Sequence, residues 1–175
     1  MKILIIYGSQ YGSTKRYAER LSEITEFEAV DYKQAKYIKG FDRIIFMGGL
    51  YAGGVLGLKK SVGKMTDKQE LIVVTVGMTD PNESEYFSQI RKSIKNQIPA
   101  NLYNKEKVFH LRGAIDYDQL GFKHRVMMSM FHKMVQKTPE SRRTADAKAM
   151  LETYGKKVDF VDFGTLKQIT SQLLT

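Results

Sequence analysis

The 175-residue sequence predicts one α/β domain, a doubly wound five-stranded parallel sheet with helices on both faces. Three observations predict it. Apolar runs rich in β-branched residues recur along the chain. They are continuous, as strands buried on both faces must be, and do not alternate. Stretches of helical spacing separate them. The length is that of one ordinary domain, and 42% hydrophobic with 27% charged residues is a globular composition. No repeat or low-complexity linker divides the chain, so residues 1–175 read as a single domain.

The elements follow in order. Residues 2–7 (KILIIY) are a buried strand. Residues 13–24 have helical spacing, with Tyr17, Ala18, Leu21 and Ile24 on one face. Residues 27–32 form a short second strand, and residues 43–47 (RIIFM) a third that ends at Gly48-Gly49. A short helix over 58–65 leads to the fourth strand, 71–76 (LIVVTV), closed by Gly77. After Asp80-Pro81-Asn82 a helix spans 83–98, and residues 107–115 (KVFHLRGAI) make the fifth strand. A Met-rich amphipathic helix follows over 120–136, with Met127, Met130, Phe131 and Met134 at i, i+3, i+4, i+7. Thr138-Pro139 has the form of an N-cap and first-turn proline for the next helix, which stops at Gly155. Asp162 caps a last helix over 163–174. One crossover helix suffices to cover the sheet, so about 117–153 is an added helical segment.

Composition removes several function classes. The chain has no cysteine, which excludes disulfides, thiolate metal sites and cysteine nucleophiles. Redox work would need a borrowed cofactor. Three histidines are too few and scattered for a zinc site: His110 reads as packed within the fifth strand, His124 and His132 as surface residues. No paired carboxylates or Ser/His/Asp set stands out, so no catalytic side chain and no metal ligand is assigned. No apolar run reaches the roughly 18 residues of a membrane span, and the opening apolar run is too short for a signal-peptide core. A cytoplasmic protein is expected. The net charge is +9, and residues 91–143 hold twelve Lys/Arg against four Asp/Glu, so an anionic partner is expected of the second half.

The loop after the first strand carries the strongest motif. Ser9-Gln10-Tyr11-Gly12-Ser13-Thr14 stands between a strand and a helix, where hydroxyls, a close-approaching glycine and free helix amides together suit a phosphate. Lys15 and Arg16 stand one turn in and could add field. The spacing of Gly8 and Gly12, with Ser13 in place of lysine, excludes a P-loop; the dinucleotide fingerprint is absent, and Tyr7-Gly8 lacks the acidic residues of a magnesium-binding receiver domain.

These residues resemble the flavodoxin family, whose phosphate loop reads roughly [ST]-x-x-G-x-[ST]. The resemblance implies the strand order 2-1-3-4-5 and FMN as cofactor, held at Ser9, Gln10, Tyr11, Gly12, Ser13 and Thr14. In doubly wound sheets the ligand lies beyond the strand C-termini where the winding reverses, which brings two further loops to the same place. Residues 48–57 hold five glycines, a backbone able to lie against a flat ring; Leu50, Tyr51, Ala52, Gly53 and Gly54 are the candidates there, with Tyr51 stacking on the flavin. Gly77, Met78, Thr79 and Asp80 are the candidates on the other ring face. Met78 stands where many flavodoxins have a second aromatic, and the chain has no tryptophan. Flavodoxins are typically acidic. Each positive charge about 10 Å from the flavin, at an effective dielectric of roughly 40, would raise the potential by about 35 mV before screening.

Gly113-Ala114-Ile115-Asp116-Tyr117 and the basic, Met-rich helix after it resemble the flavodoxin-like branch containing menaquinone-dependent protoporphyrinogen dehydrogenase. That implies an FMN-dependent oxidoreductase acting on a flat anionic substrate such as protoporphyrinogen, with a quinone acceptor. Met127, Met128, Met130, Phe131 and Met134 would give an apolar platform, and Lys123, Arg125, Lys133, Arg142 and Arg143 the cations. A membrane surface would be served by the same 120–143 segment. Two alternatives stay open: a plain electron carrier that meets only a redox partner, and a basic module for nucleic acid or membrane. No recognised nucleic-acid motif supports the last.

Overall fold

The computed structural model describes residues 1–51 and 53–173; the predicted site residue Ala52, and Leu174 at the predicted end of the last helix, lie outside the described residues. In chain order the elements are β1 (Ile3–Gly8), α1 (Ser13–Thr25), β2 (Glu28–Asp31), β3 (Arg43–Tyr51), β4 (Gly54–Val55), α2 (Leu58–Val62), β5 (Glu70–Gly77), α3 (Ser84–Lys95), β6 (Val108–Arg112), β7 (Ala114–Asp116), α4 (Phe122–Lys137), α5 (Ala145–Thr153), β8 (Lys157–Asp159) and α6 (Lys167–Leu173). Five strands pair in parallel in the order β2-β1-β3-β5-β6, which is the expected 2-1-3-4-5 counted over those strands.

The continuous apolar runs bury both faces of this sheet. Ile5, Ile45, Met47, Ile72 and Val74 point to one side, against Tyr17, Ala18 and Leu21 of α1 and Ile169 of α6. Their neighbours Leu4, Ile6, Ile44, Phe46 and Val73 point to the other, against Leu58 and Val62 of α2 and Ile90 and Ile94 of α3. Period-two alternation along each strand therefore feeds two cores, and the C-terminal strand ends are left free to form a site. No helix among the described residues is long and apolar enough to cross a membrane.

Four elements differ from the sequence expectation. The third strand does not end at Met47. Gly48 and Gly49 stay in register with Thr75 and Val76 of β5, and the strand runs to Tyr51 before a hairpin returns as β4. A Cβ on Gly48 would lie 2.3 Å from Val55 Cγ1, so that glycine admits β4 and does not break the strand. The fifth strand is cut at Gly113, whose amide donates to Gly77 O at 2.7 Å. Residues beyond it leave the sheet as β7, which pairs antiparallel with β8, a three-residue strand not expected from sequence. Thr138 ends α4 and does not start the next helix: Pro139 is extended (φ −54, ψ 142), and Thr144 is the N-cap of α5, accepting from Ala147 N at 3.3 Å. The apolar set of α4 is also divided. Met130 (67% exposed) and Met134 (58%) face outward, Met128 and Phe131 line the cavities at the strand ends, and Met127 (41%) borders the smaller one while staying exposed.

Candidate functional site

The loop between β1 and α1 is shaped by its own chemistry. Gly12 N donates to Ser9 Oγ at 3.0 Å, and Gly12 sits at φ +96, a left-handed conformation that favours glycine. Gly12 is the N-cap of α1 with no side-chain cap, so the first-turn amides meet no capping oxygen. Thr14, 3% exposed, has no hydrogen-bond partner among the described residues, and Gly49 leaves room for it: a Cβ there would lie 3.4 Å from Thr14 Oγ1. Ser13 behaves differently. Its hydroxyl accepts from Ala114 N at 2.9 Å and donates to Ala114 O at 3.2 Å, tying α1 to β7. Lys15 pairs with Glu19 at 3.5 Å and Arg16 with Asp159 at 2.8 Å, so both cations are engaged elsewhere.

Two adjoining cavities open at the C-terminal ends of the strands. The smaller, about 250 Å³, is lined by Ser9, Gln10, Tyr11, Ser13, Thr14, Leu50, Tyr51, Gly77 and Met78 of the expected residues. The larger, about 400 Å³, takes in Gly53, Gly54 and Thr79. Two expected residues are not brought in. Gly12 faces a shallow groove with Lys15, Asp31 and Lys33. Asp80 turns away, its carboxylate accepting from Asn82 N at 2.8 Å and Asn82 Nδ2 at 2.9 Å. Not assigned to the cofactor from sequence are Gly49 and Leu56 of the 48–57 loop, Ala114, Ile115 and His124; Met127 and Met128, expected as a substrate platform, are laid by α4 over the smaller cavity together with His124. Among the described residues no lysine or arginine lines either cavity.

His124 is the least anticipated member. Its ring stands edge-on to Tyr11 (5.5 Å between centroids) and to Tyr51 (5.1 Å). Nδ1 hydrogen-bonds the Tyr11 hydroxyl and Nε2 the Tyr51 hydroxyl, the latter at 2.5 Å. Expected as a surface residue, it is half-buried and clips the added helix to two cofactor-candidate tyrosines. Tyr51, expected to stack on a ring, meets this imidazole with its edge. The other surface expectation, His132, is half-buried too and stacks on Tyr154 at 3.8 Å.

His110 is packed, as expected. It is buried on β6 with Nδ1 2.9 Å from Thr75 Oγ1 and Nε2 3.3 Å from Thr79 O, beneath the wall of the larger cavity. Burial drives its pKa down from 6.5 to about 4, opposed by the Thr79 carbonyl and by Asp146. Above pH 6.5 neither the folded nor the unfolded chain holds this proton, and stability is full. As the pH falls, the unfolded chain protonates first, so about 3 kcal/mol is lost between pH 6.5 and 4. Urea denaturation across that range will show the fall, and His110→Gln will flatten it; a wild-type profile flat over that range contradicts the assignment.

A family profile described as a flavodoxin domain matches residues 4–142. The chain belongs to the flavodoxin-domain family. The matched span of this flavodoxin domain begins in β1 and includes α4, while α5, β8 and α6 lie beyond it. No curated protein matches the chain. Among solved structures, a flavoprotein in complex with FMN from Lactobacillus acidophilus aligns at 15% identity and TM-score 0.44, covering 63% of this chain and 90% of that one. A Fusobacterium nucleatum flavodoxin bound to flavin mononucleotide aligns at 15% and 0.41, covering 70% and 75%. Oxidised Flavodoxin 2 from Bacillus cereus aligns at 16% and 0.40, covering 88% and 100%. The assignment of this flavodoxin domain rests on the family profile.

Proposed function

We propose that the chain binds FMN in the smaller cavity and works in the cytoplasm as an electron-transfer flavoprotein. The observation that carries this is the head of α1. Its first-turn amides, uncapped by any side chain, meet the hydroxyls of Ser9 and Thr14 at a cavity that no described cation lines. A donor set of amides and hydroxyls at a positive helix end fits a phosphate monoester. Ser13 is not in that set, because Ala114 holds its hydroxyl. Leu50, Tyr51, Gly77 and Met78 would hold the ring end, with Met127 and Met128 of α4 excluding water over it. When bound, FMN supplies the one- and two-electron chemistry that a cysteine-free chain lacks.

The enzymic form of this reading, as in the protoporphyrinogen dehydrogenase branch, is favoured over a plain carrier by α4, whose His124, Met127, Met128 and Phe131 line the cavities and would supply the apolar platform for a flat substrate. An anionic substrate or redox partner would meet Lys123, Arg125 and Lys133 on the exposed side of that helix, since none of them lines a cavity. Lys and Arg absent from both linings also reduce the rise in potential expected from net charge, because distant exposed cations are screened. The test is an absorption spectrum taken after FMN is added and the excess removed. Retained flavin bands, shifted from those of free FMN, support the proposal; a colourless protein refutes it.

A further inference from the structure

We propose that the face formed by residues 32–39 and α2 binds single-stranded nucleic acid without sequence preference. None of its lysines lines either cavity at the strand ends, and the proposal does not depend on the flavin reading. Residues 33–68 hold eight Lys/Arg against two Asp. The structure gathers these charges from two separate segments. Lys33 Nζ and Lys60 Nζ stand 5.7 and 5.8 Å from the centroid of one ring, that of Tyr32. Gly57 lets the ring lie against the head of α2, since a Cβ there would come within 2.5 Å of Tyr32 Cγ. Lys64 Nζ, just beyond α2, donates to Ala35 O and ties the two segments together. Beside that tie, Lys36, Tyr37, Lys39, Lys64 and Thr66 line an open groove of about 630 Å³ with no Asp or Glu among its described lining residues.

No carboxylate neutralises this face. Lys33, Lys36, Lys39, Lys59, Lys60 and Lys64 form no ion pair among the described residues. The carboxylates of the same segments serve other donors: Asp31 accepts from Lys33 N at 2.8 Å, Asp42 from Lys2 N at 2.7 Å and Asp67 from Asn101 Nδ2 at 3.0 Å. Cations gathered without counter-charge favour a polyanion, whose arrival releases condensed counterions. Tyr37 selects among polyanions. It is 89% exposed between Lys36 and Lys39. Among the described residues of 33–68 the other exposed large apolar side chain is Tyr51, which borders the cofactor cavity. A lone exposed ring is a platform on which a base stacks, and it gives no apolar area to sink into a bilayer. Arg43 is buried, so the face presents no guanidinium to read a guanine edge, and α2, five residues long, is too short to enter a major groove. A single strand held by its phosphates and by stacking fits what remains.

Fluorescence anisotropy of a red-labelled oligothymidylate of about 12 nucleotides, titrated with the FMN-loaded chain, tests this. Saturable binding is expected, and about four phosphate contacts predict an affinity that falls about fiftyfold between about 50 and 200 mM salt. At about 150 mM salt, Lys36→Glu with Lys39→Glu should weaken binding at least about tenfold, and Tyr37→Ala about fivefold or more, with FMN retention unchanged in both. Lys123→Glu with Lys133→Glu makes the same change of net charge on the exposed side of α4 and should alter affinity less than about threefold. Absence of oligothymidylate binding, equal losses from the two double variants, or an affinity unchanged by Tyr37→Ala overturns the proposal. So does tighter binding of polyglutamate or of phosphatidylglycerol vesicles than of oligothymidylate, which would assign the face to an acidic protein or to a bilayer. If the chain retains no FMN the proposed function fails, and the same titration of the flavin-free chain still decides this face.

Discussion

Thr14→Val is expected to weaken FMN binding about tenfold to a hundredfold and to leave the fold intact. The substitution keeps the shape of a side chain that is 3% exposed and removes a hydroxyl that has no partner among the described residues. A hydrogen bond to a charged phosphate oxygen is worth about 1.5–3 kcal/mol, and each 1.4 kcal/mol is a factor of about ten. Ser13→Ala is the control, because Ala114 already engages that hydroxyl through two hydrogen bonds. It should lower stability by about 1 kcal/mol and change affinity much less. Calorimetric FMN titration and urea denaturation of both variants measure the contrast. Equal affinity losses in the two would mean that the phosphate does not meet the loop in this way.

At the opposite end of the sheet, Glu70→Gln is expected to destabilise the fold by about 3–5 kcal/mol. Arg43 and Glu70 face each other in the β3–β5 register, and Glu70 binds both Arg43 Nε and Lys107 Nζ. Arg43 is only 7% exposed, and its Nη1 is buried without a hydrogen-bond partner. Burial, and secondarily Arg43, already lower the Lys107 pKa. Removing the carboxylate charge leaves two cations together in a poorly solvated place, a cost much larger than that of an exposed ion pair. For a domain of this size the loss corresponds to a fall in Tm of about 10 °C. Arg43→Met in the same background should recover part of it by removing the stranded charge. A fall of less than about 2 °C would show that water reaches these groups.

Much of this architecture was legible because its determinants are local. Strand β1, the glycine-marked loop and the head of α1 lie within some 25 consecutive residues, so apolar run, turn chemistry and helix start agree. Buried runs alternating with helices imply the parallel sheet, while its strand order was implied by the resemblance of the Ser9–Thr14 loop to flavodoxins. What escaped depends on distant partners. Nothing near Ser13 shows that its hydroxyl serves Ala114, 101 residues away. β8 is three residues long and exists only because β7 pairs with it. Gly48 and Gly49 look like a loop when read alone; their pairing with β5 keeps them extended. His124 gave no signal, since its meaning lies in where α4 packs against Tyr11 and Tyr51. The start of α5 was not decidable locally: Thr138-Pro139-Glu140 and Thr144-Ala145-Asp146 each set a capping hydroxyl before an acidic first turn, and Thr144 is the one whose side chain caps.

The central claim is that the head of α1 grips a phosphate, and riboflavin, the same ring and ribityl chain without the phosphate, tests it most directly. Titration of the flavin-free chain with each ligand under identical salt should give FMN an affinity at least about a hundredfold above that of riboflavin. Riboflavin binding as tightly as FMN would contradict the account.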